Sequence, residues 1–266
     1  MPYFDLGGAR LYYEEQGQGR PVLFIHGVWM SSRFFRKQMP YFGERYHAIA
    51  LDLRSHGRSS HTEIGNTVAT YAQDLRAFIQ GKELTDVIMV GWSMGAFVIW
   101  DYLRQFGPAN VKGIVVVDES ASDFKWPDWP IGSFDIQGLH QAMTAVQTDR
   151  GAFASEFIPL MFKDPPARED FKWMLDEVTM LPESIAAAIL FDQTLQDYRP
   201  VLPEISVPTL LCFGRDEKLV PIAGGEHLQK SIPGSRLIVF ENSGHCSFLE
   251  EPERFNGEVD SFIRSI

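Results

Sequence analysis

Ser93 lies in Gly91-Trp92-Ser93-Met94-Gly95, a G-x-S-x-G stretch. The apolar run Val87 to Val90 precedes it and a helical stretch from Met94 to about Phe106 follows. A serine hydroxyl is a weak nucleophile near neutral pH and needs a neighbouring base. Strand, sharp turn and helix together lift such a serine off the strand end on strained backbone, and they point the amide N–H groups of the helix start at it. Gly91 and Gly95 keep room that a Cβ would fill. His245, in Ser243-Gly244-His245 after the last apolar run, is the expected base: it can take the serine proton and return it to a leaving alcohol. An acid must fix the imidazole tautomer and stabilise the imidazolium. Asp216 follows the run Thr209 to Phe213 and is the expected acid; Asp118 and Glu119, after Gly113 to Val117, are its rivals. Two N–H groups must also meet the charge that develops on a carbonyl oxygen. Met94 N–H, next after the serine, is the expected first donor.

The elements needed to hold these residues can be read along the chain. Residues 3–6 and 10–15 form two short strands around the turn Gly7-Gly8. Val22 to Ile25 is a buried strand ending in His26-Gly27-Val28-Trp29, and Ser31 is placed to cap the helix after it. Ala48 to Leu51 is another strand, ending at Asp52. Asn66 is the expected cap of a helix to about Gln80, with Val68, Tyr71, Leu75, Phe78 and Ile79 on one face. The strand before Ser93 follows, then Gly113 to Val117. Strands alternating with helices mean βαβ units and a parallel sheet covered on both faces. From 120 to 200 the rhythm breaks into proline-punctuated helical pieces, and it returns at Thr209 to Phe213, Arg236 to Phe240 and a closing helix from about Pro252. The expected organisation is a core of 1–119 and 201–266 with a helical cap of 120–200. Ligands gather at the carboxyl ends of parallel strands, which is where the serine, the acids and His245 fall.

Composition narrows the partners. A chain of 266 residues with 45% hydrophobic residues fits one large globular domain, or a core with an insertion. The net charge of −11 argues against nucleic acid or an anionic membrane surface as a partner. No apolar run approaches the roughly 20 residues that span a bilayer. The start Met-Pro-Tyr-Phe lacks the basic-then-apolar layout of a signal peptide. The two cysteines, Cys212 and Cys246, suggest no disulfide framework, and a reducing, cytoplasmic setting is expected. The histidines lack metal-ligand spacing and no G-x-G-x-x-G follows the first strand, so neither metal nor cofactor is expected.

Five pieces of the chain resemble the α/β-hydrolase fold family. They are His26-Gly27; Asp52 to Ser59, a D-x-R-G-x-G-x-S pattern with Ser55 in place of its first glycine; the turn at Ser93; Gly214-Arg215-Asp216; and Ser243-Gly244-His245. The resemblance covers the chain apart from the insertion and is nearest to the small carboxylesterases, lactonases and cofactor-free perhydrolases. It implies an α/β-hydrolase fold: a mostly parallel sheet, helices on both faces and a helical cap. It also implies a Ser93–Asp216–His245 triad, a second oxyanion donor at Val28 N–H, and a bracing role for His26. Relatives that open epoxides or remove halide carry aspartate at the turn, and Ser93 argues against both chemistries.

The expected activity is hydrolysis of small-to-medium carboxylic esters through an acyl-enzyme on Ser93. The alternatives are a lactonase, including one acting on acyl-homoserine lactones, and a perhydrolase or haloperoxidase using the same triad. A non-enzymatic binding module on this fold would tend to lose part of the triad. Trp29, Trp92, Glu119, Leu139, Met143 and Trp173 are the expected substrate contacts, in a mostly apolar cleft under the cap. Such a cleft would reject charged acyl groups.

Overall fold

In the computed structural model, residues 3–266 are described, so residues 1 and 2 of the expected core segment lie outside it. Eight strands form one sheet: β1 Tyr3–Asp5, β2 Arg10–Gln16, β3 Pro21–Ile25, β4 His47–Leu51, β5 Val87–Trp92, β6 Val111–Val117, β7 Thr209–Gly214 and β8 Arg236–Phe240. Their order is β1-β2-β4-β3-β5-β6-β7-β8. β1 and β2 pair antiparallel, as do β2 and β4. Every later pairing is parallel. All residues of β3, β5 and β7 are buried. Successive side chains of a strand point to opposite faces, so unbroken burial means that both faces of the sheet are covered.

Among the described residues ten α-helices accompany the sheet: α1 Gln38–Gly43, α2 Val68–Gly81, α3 Met94–Phe106, α4 Ile136–Thr148, α5 Arg150–Leu160, α6 Arg168–Val178, α7 Glu183–Thr194, α8 Ile222–Ser231, α9 Ser247–Glu250 and α10 Pro252–Arg264. Ser31 caps a short 3₁₀ turn, Ser32–Phe35, rather than a full helix, and α1 starts separately after it. α2 is capped by Thr67, whose Oγ1 accepts from Thr70 N at 3.2 Å. The expected cap, Asn66, instead donates from Nδ2 to Thr62 O.

Four helices, α4 to α7, separate β6 from β7. Apart from isolated bridges at Phe124–Phe134 and Trp126–Trp129, this segment adds no strand to the sheet among the described residues. Polar ties bind it to the loop after β3. Ser31 Oγ donates to Glu177 Oε2 at 2.6 Å, Arg33 pairs with the same carboxylate at 3.1 Å, and Trp29 Nε1 donates to Ala186 O at 3.0 Å. The loop itself is held from β4. The buried Asp52 carboxylate accepts from Ser32 N at 2.6 Å and Arg58 N at 2.8 Å, so the first turn of chain after β3 has a fixed path across the strand ends. No helix among the described residues is long and apolar enough to cross a membrane. Both cysteines are buried and unpaired.

Candidate active site

Ser93 is at the tip of the β5–α3 turn with φ 52° and ψ −126°, a strained left-handed conformation for a residue with a Cβ. The turn closes only because its neighbours lack side chains. A Cβ on Gly91 would sit 2.6 Å from Gly95 C, and one on Gly95 would sit 2.2 Å from Ile25 O. The hydroxyl therefore stands at the N-terminus of α3, where amide N–H groups have no partner within the helix.

His245 follows β8 and is nearly fully buried. Trp92 packs against its ring, and Trp92 Nε1 donates to His245 O at 2.9 Å, which fixes this stretch of backbone. Glu217 Oε2 lies 2.7 Å from His245 Nδ1, and only 1% of the Glu217 side chain is exposed. Its other oxygen accepts from the backbone N–H groups of Leu219 and Val220. Burial pushes the Glu217 carboxyl up, but His245 and those two N–H groups more than reverse this and hold it below the usual range.

Asp216, the acid expected from sequence, is not in this position. Its backbone N donates to Ser243 O at 3.0 Å and its carboxylate turns outward to Lys163 Nζ at 3.0 Å, with 42% of the side chain exposed. The chain is still tied to the β8 side of the sheet at Asp216, and only the next residue reaches the histidine. One sequence feature marks Glu217: it precedes the helix start at Pro221 by the spacing that lets its carboxylate cap two intervening N–H groups.

Two further buried acids stand after β6. Asp118, at φ 44°, accepts from Gly214 N at 3.0 Å through Oδ1. Its Oδ2 is buried with no donor facing it. Burial, then the Glu217 charge, push Asp118 well above the usual carboxylate range. The shift favours the neutral acid, whose Oδ2 can then donate to Glu217. Glu119 Oε1 accepts from Ser120 N at 2.7 Å and its Oε2 lies 3.5 Å from Ser93 Oγ. Burial, then the Asp123 charge and hydrogen bond, push Glu119 well up.

Asp118, Glu217 and His245 each bring one ligand atom within 4.8 Å of the others, the only spacing among the described residues that could hold a cation. Hydrogen bonds already account for the cluster, since Glu217 Oε2 is on His245 and Asp118 Oδ1 is on Gly214. His26 has its Nδ1 2.8 Å from Gly27 O and accepts from Leu53 N at 3.0 Å through Nε2. Burial lowers it to about 4, so it is a neutral brace between the β3 and β4 loops.

Ser93, His245 and Glu217 line one cavity of about 650 Å³ between the strand ends and α4, α5 and α7. Trp29 and Glu119, expected as substrate contacts, line it, and so does Val28, expected as a backbone oxyanion donor. Trp92, Leu139, Met143 and Trp173 do not. Trp92 lies beneath the site against Phe34 and Phe248. Leu139 of α4 is buried in the hydrophobic core, Met143 packs against that core, and Ala142 faces the cavity in its place. Trp173 is sandwiched by Arg33 and Arg36 with Nε1 on Asp170. Phe153 and Phe157 of α5, which stack edge-on to Trp29, supply the aromatic wall. The cavity wall is mostly apolar, as expected, and Asp123, Lys125, Gln193 and Lys218 add polar groups to it.

A mostly parallel sheet in this order, with a serine on a strained turn after β5 and a histidine after β8, defines an α/β hydrolase. The chain belongs to the alpha/beta hydrolase family, whose model matches residues 22–258. It is 30% identical to the AB hydrolase superfamily protein YisY of Bacillus subtilis (strain 168), over 96% of each chain. Among solved structures it is similar to the esterase EaEST from Exiguobacterium antarcticum, at 27% identity and TM-score 0.94 over 97% of both chains. A bromoperoxidase from Bacillus anthracis is also similar, at 26% identity and TM-score 0.93 over 96% of both chains.

Proposed function

We propose that this chain is a serine hydrolase of small-to-medium carboxylic esters, with Ser93 as nucleophile, His245 as base and Glu217, in place of Asp216, as the acid. The observation that carries this reading is that these three side chains line one cavity and that Glu217 is 2.7 Å from the histidine nitrogen. His245 takes the Ser93 proton on Nε2 as Oγ attacks the ester carbonyl, while Glu217 holds Nδ1–H and stabilises the imidazolium. The backbone N–H groups of Met94, at the start of α3, and Val28, in the loop braced by His26, receive the oxyanion. Collapse expels the alcohol, which leaves with the proton from His245. Water then repeats the sequence on the acyl-enzyme. The similarity to an esterase over the whole chain supports the same reading. A small-molecule ester as partner and the segment 120–200 as the cap over the site belong to it.

Similarity to a bromoperoxidase favours one second activity: hydrogen peroxide taking the place of water on the acyl-enzyme and leaving as a peracid.

A fluorophosphonate probe with intact-mass detection tests the assignment. One adduct is expected on the wild type and none on Ser93→Ala, which should also lose roughly 10⁴–10⁶ in kcat on p-nitrophenyl esters. A Ser93→Ala variant with more than about a tenth of the activity would overturn the nucleophile. Along an acyl series, each methylene that still fits should raise kcat/KM roughly fourfold through about 0.8 kcal/mol of burial. A flat series would show that the cavity is not the acyl pocket. Peracid formation on addition of peroxide separates the second activity from the first.

A further inference from the structure

Gly244, the residue before His245, lies where three stretches of backbone meet. A Cβ on Gly214, at the end of β7, would sit 2.1 Å from Gly244 O. A Cβ on Gly244 would sit 2.9 Å from both Phe162 C and Lys163 N, in the link between α5 and α6. Backbone packed this closely excludes water, so its N–H groups need partners on the spot. Glu250, half-buried at the end of α9, supplies them. Its Oε2 accepts from Gly244 N and its Oε1 from Lys163 N, each at 2.8 Å. One carboxylate thus bridges the histidine loop and the α5–α6 link. The same link is tied to the acid. Lys218, next after Glu217, donates through Nζ to Phe162 O at 2.7 Å and to Lys163 O at 2.9 Å. Met161 and Phe162 are buried, so the link is an anchored turn.

We propose that Glu250 is a positioning residue for the base: it fixes the backbone in front of His245 against the α5–α6 link, so that the ring stays aimed at Ser93 and Glu217. This rests on His245 acting as the base, as set out above. Trp92 Nε1 holds the chain at His245 O, beyond the Cα, and Glu250 holds it at Gly244 N, before the Cα. Two fixed points on either side of the Cα set the direction in which the imidazole leaves the backbone. Freed at one of them, the loop can turn about the other, and a displacement of about 1 Å costs up to roughly 10²-fold in rate. Glu250 does not line the cavity and acts only through backbone groups. The competing role is to hold α5 alone. α5 carries Phe153 and Phe157 of the cavity wall, so that role would alter long acyl groups and leave the base untouched.

The test compares wild type, Glu250→Gln and Glu250→Ala on p-nitrophenyl acetate and hexanoate. Glutamine keeps the size but turns an NH2 onto one of the two backbone N–H groups, and alanine removes both acceptors. Each kcat is divided by the fraction of chains that take up a fluorophosphonate at long exposure, counted by intact mass, which removes any loss of folded protein. On acetate, kcat per labelled chain should fall about fivefold in Glu250→Gln and roughly 30–100-fold in Glu250→Ala, with KM within about twofold of wild type. The same factors should hold on hexanoate. A fall below about threefold on acetate in Glu250→Ala overturns the positioning role, and so does a loss confined to a raised KM on hexanoate. Where Glu250→Ala yields too little folded protein, a Glu250→Gln variant within about twofold of wild type on acetate overturns it equally. A wild type that hydrolyses neither ester and takes no adduct overturns the hydrolase reading and this role with it. An active wild type with unchanged variants overturns the role of Glu250 alone.

Discussion

Two pairs of buried carboxyl groups flank the site, and they carry their protons differently. Behind His245, Asp118 faces Glu217; beside Ser93, Glu119 faces Asp123. In each pair the member from the end of β6 is pushed well up by burial first and by its neighbour's charge second. The partners differ. Glu217 meets His245 and two backbone N–H groups, which together overcome its burial and hold it below the usual carboxylate range. Asp123 meets the Gln193 amide N–H and the Glu119 carboxyl, with a smaller effect from His245, and burial still leaves it raised. Two like charges in one apolar space repel each other, which favours a proton held within each pair. An imidazole and two backbone N–H groups within hydrogen-bond distance then decide how firmly the remaining charge is held. The first pair therefore has a charge that can work against an imidazolium, and the second is a neutral-leaning polar corner of the cavity.

The sharpest way to break this comparison is to discharge the working member. Glu217→Gln keeps the shape but removes the charge that orients His245, and kcat should fall on the order of 10⁴ with KM little changed. A loss below about tenfold would mean that the histidine is positioned by other groups and that the two pairs do not differ in function.

Next in size is the pH dependence of stability. Asp118 and Glu119 are raised in the folded state, so the folded chain binds more protons than the unfolded chain wherever pH exceeds the ordinary carboxylate value of roughly 4. Their stabilising contribution is full below that value and is lost as pH rises toward the folded-state value. Asp118→Asn and Glu119→Gln place a neutral amide where the neutral acid stood and remove this loss. Their Tm relative to wild type should climb between pH 5 and pH 8, by about 2–4 °C for each variant. Activity should fall by less than about tenfold in either, because the amide introduced at each position can still donate to the neighbouring carboxylate. A Tm difference that stays flat with pH would show that these acids ionise freely.

How much of this was legible in sequence follows from what each residue has to satisfy. Val87 to Val90 reads as a strand because burial on both faces allows only apolar side chains, and Gly91 and Gly95 read as a turn because backbone passes within 3 Å of where a Cβ would be. His245 needed only to follow the last strand. The acid was missed by one residue: a carboxylate directly after β7 looks sufficient, but the hydrogen bond from Asp216 N to Ser243 O carries the chain one step further before it turns in. Two of the six expected pocket contacts, Trp29 and Glu119, line the cavity. Both sit beside strand ends, but so does Trp92, whose side chain turns under the site, and Leu139, Met143 and Trp173 lie on α4 and α6, whose apolar residues pack inward with the same residue types that would line a cavity.

The smallest expected effect is at the residue the sequence favoured. Asp216→Asn removes an exposed ion pair with Lys163 and nothing that faces the cavity. Exposed pairs are screened by water and salt and contribute little, so Tm should hardly move. Activity should change by no more than about threefold, since Asp216 is displaced from the imidazole by the length of one residue and turned the other way. The value of the measurement is in its pairing with Glu217→Gln, because the two acids are adjacent in the chain and differ only in which way the loop sends them. A loss of about 10⁴ in Asp216→Asn with a mild Glu217→Gln would mean that the loop after β7 turns one residue earlier in solution. In that case the Asp118 proton would face a different partner, and the contrast between the two acid pairs would go with it. A mild Asp216→Asn together with a severe Glu217→Gln would place the working charge on Glu217, where the His245 ring and two backbone N–H groups hold it.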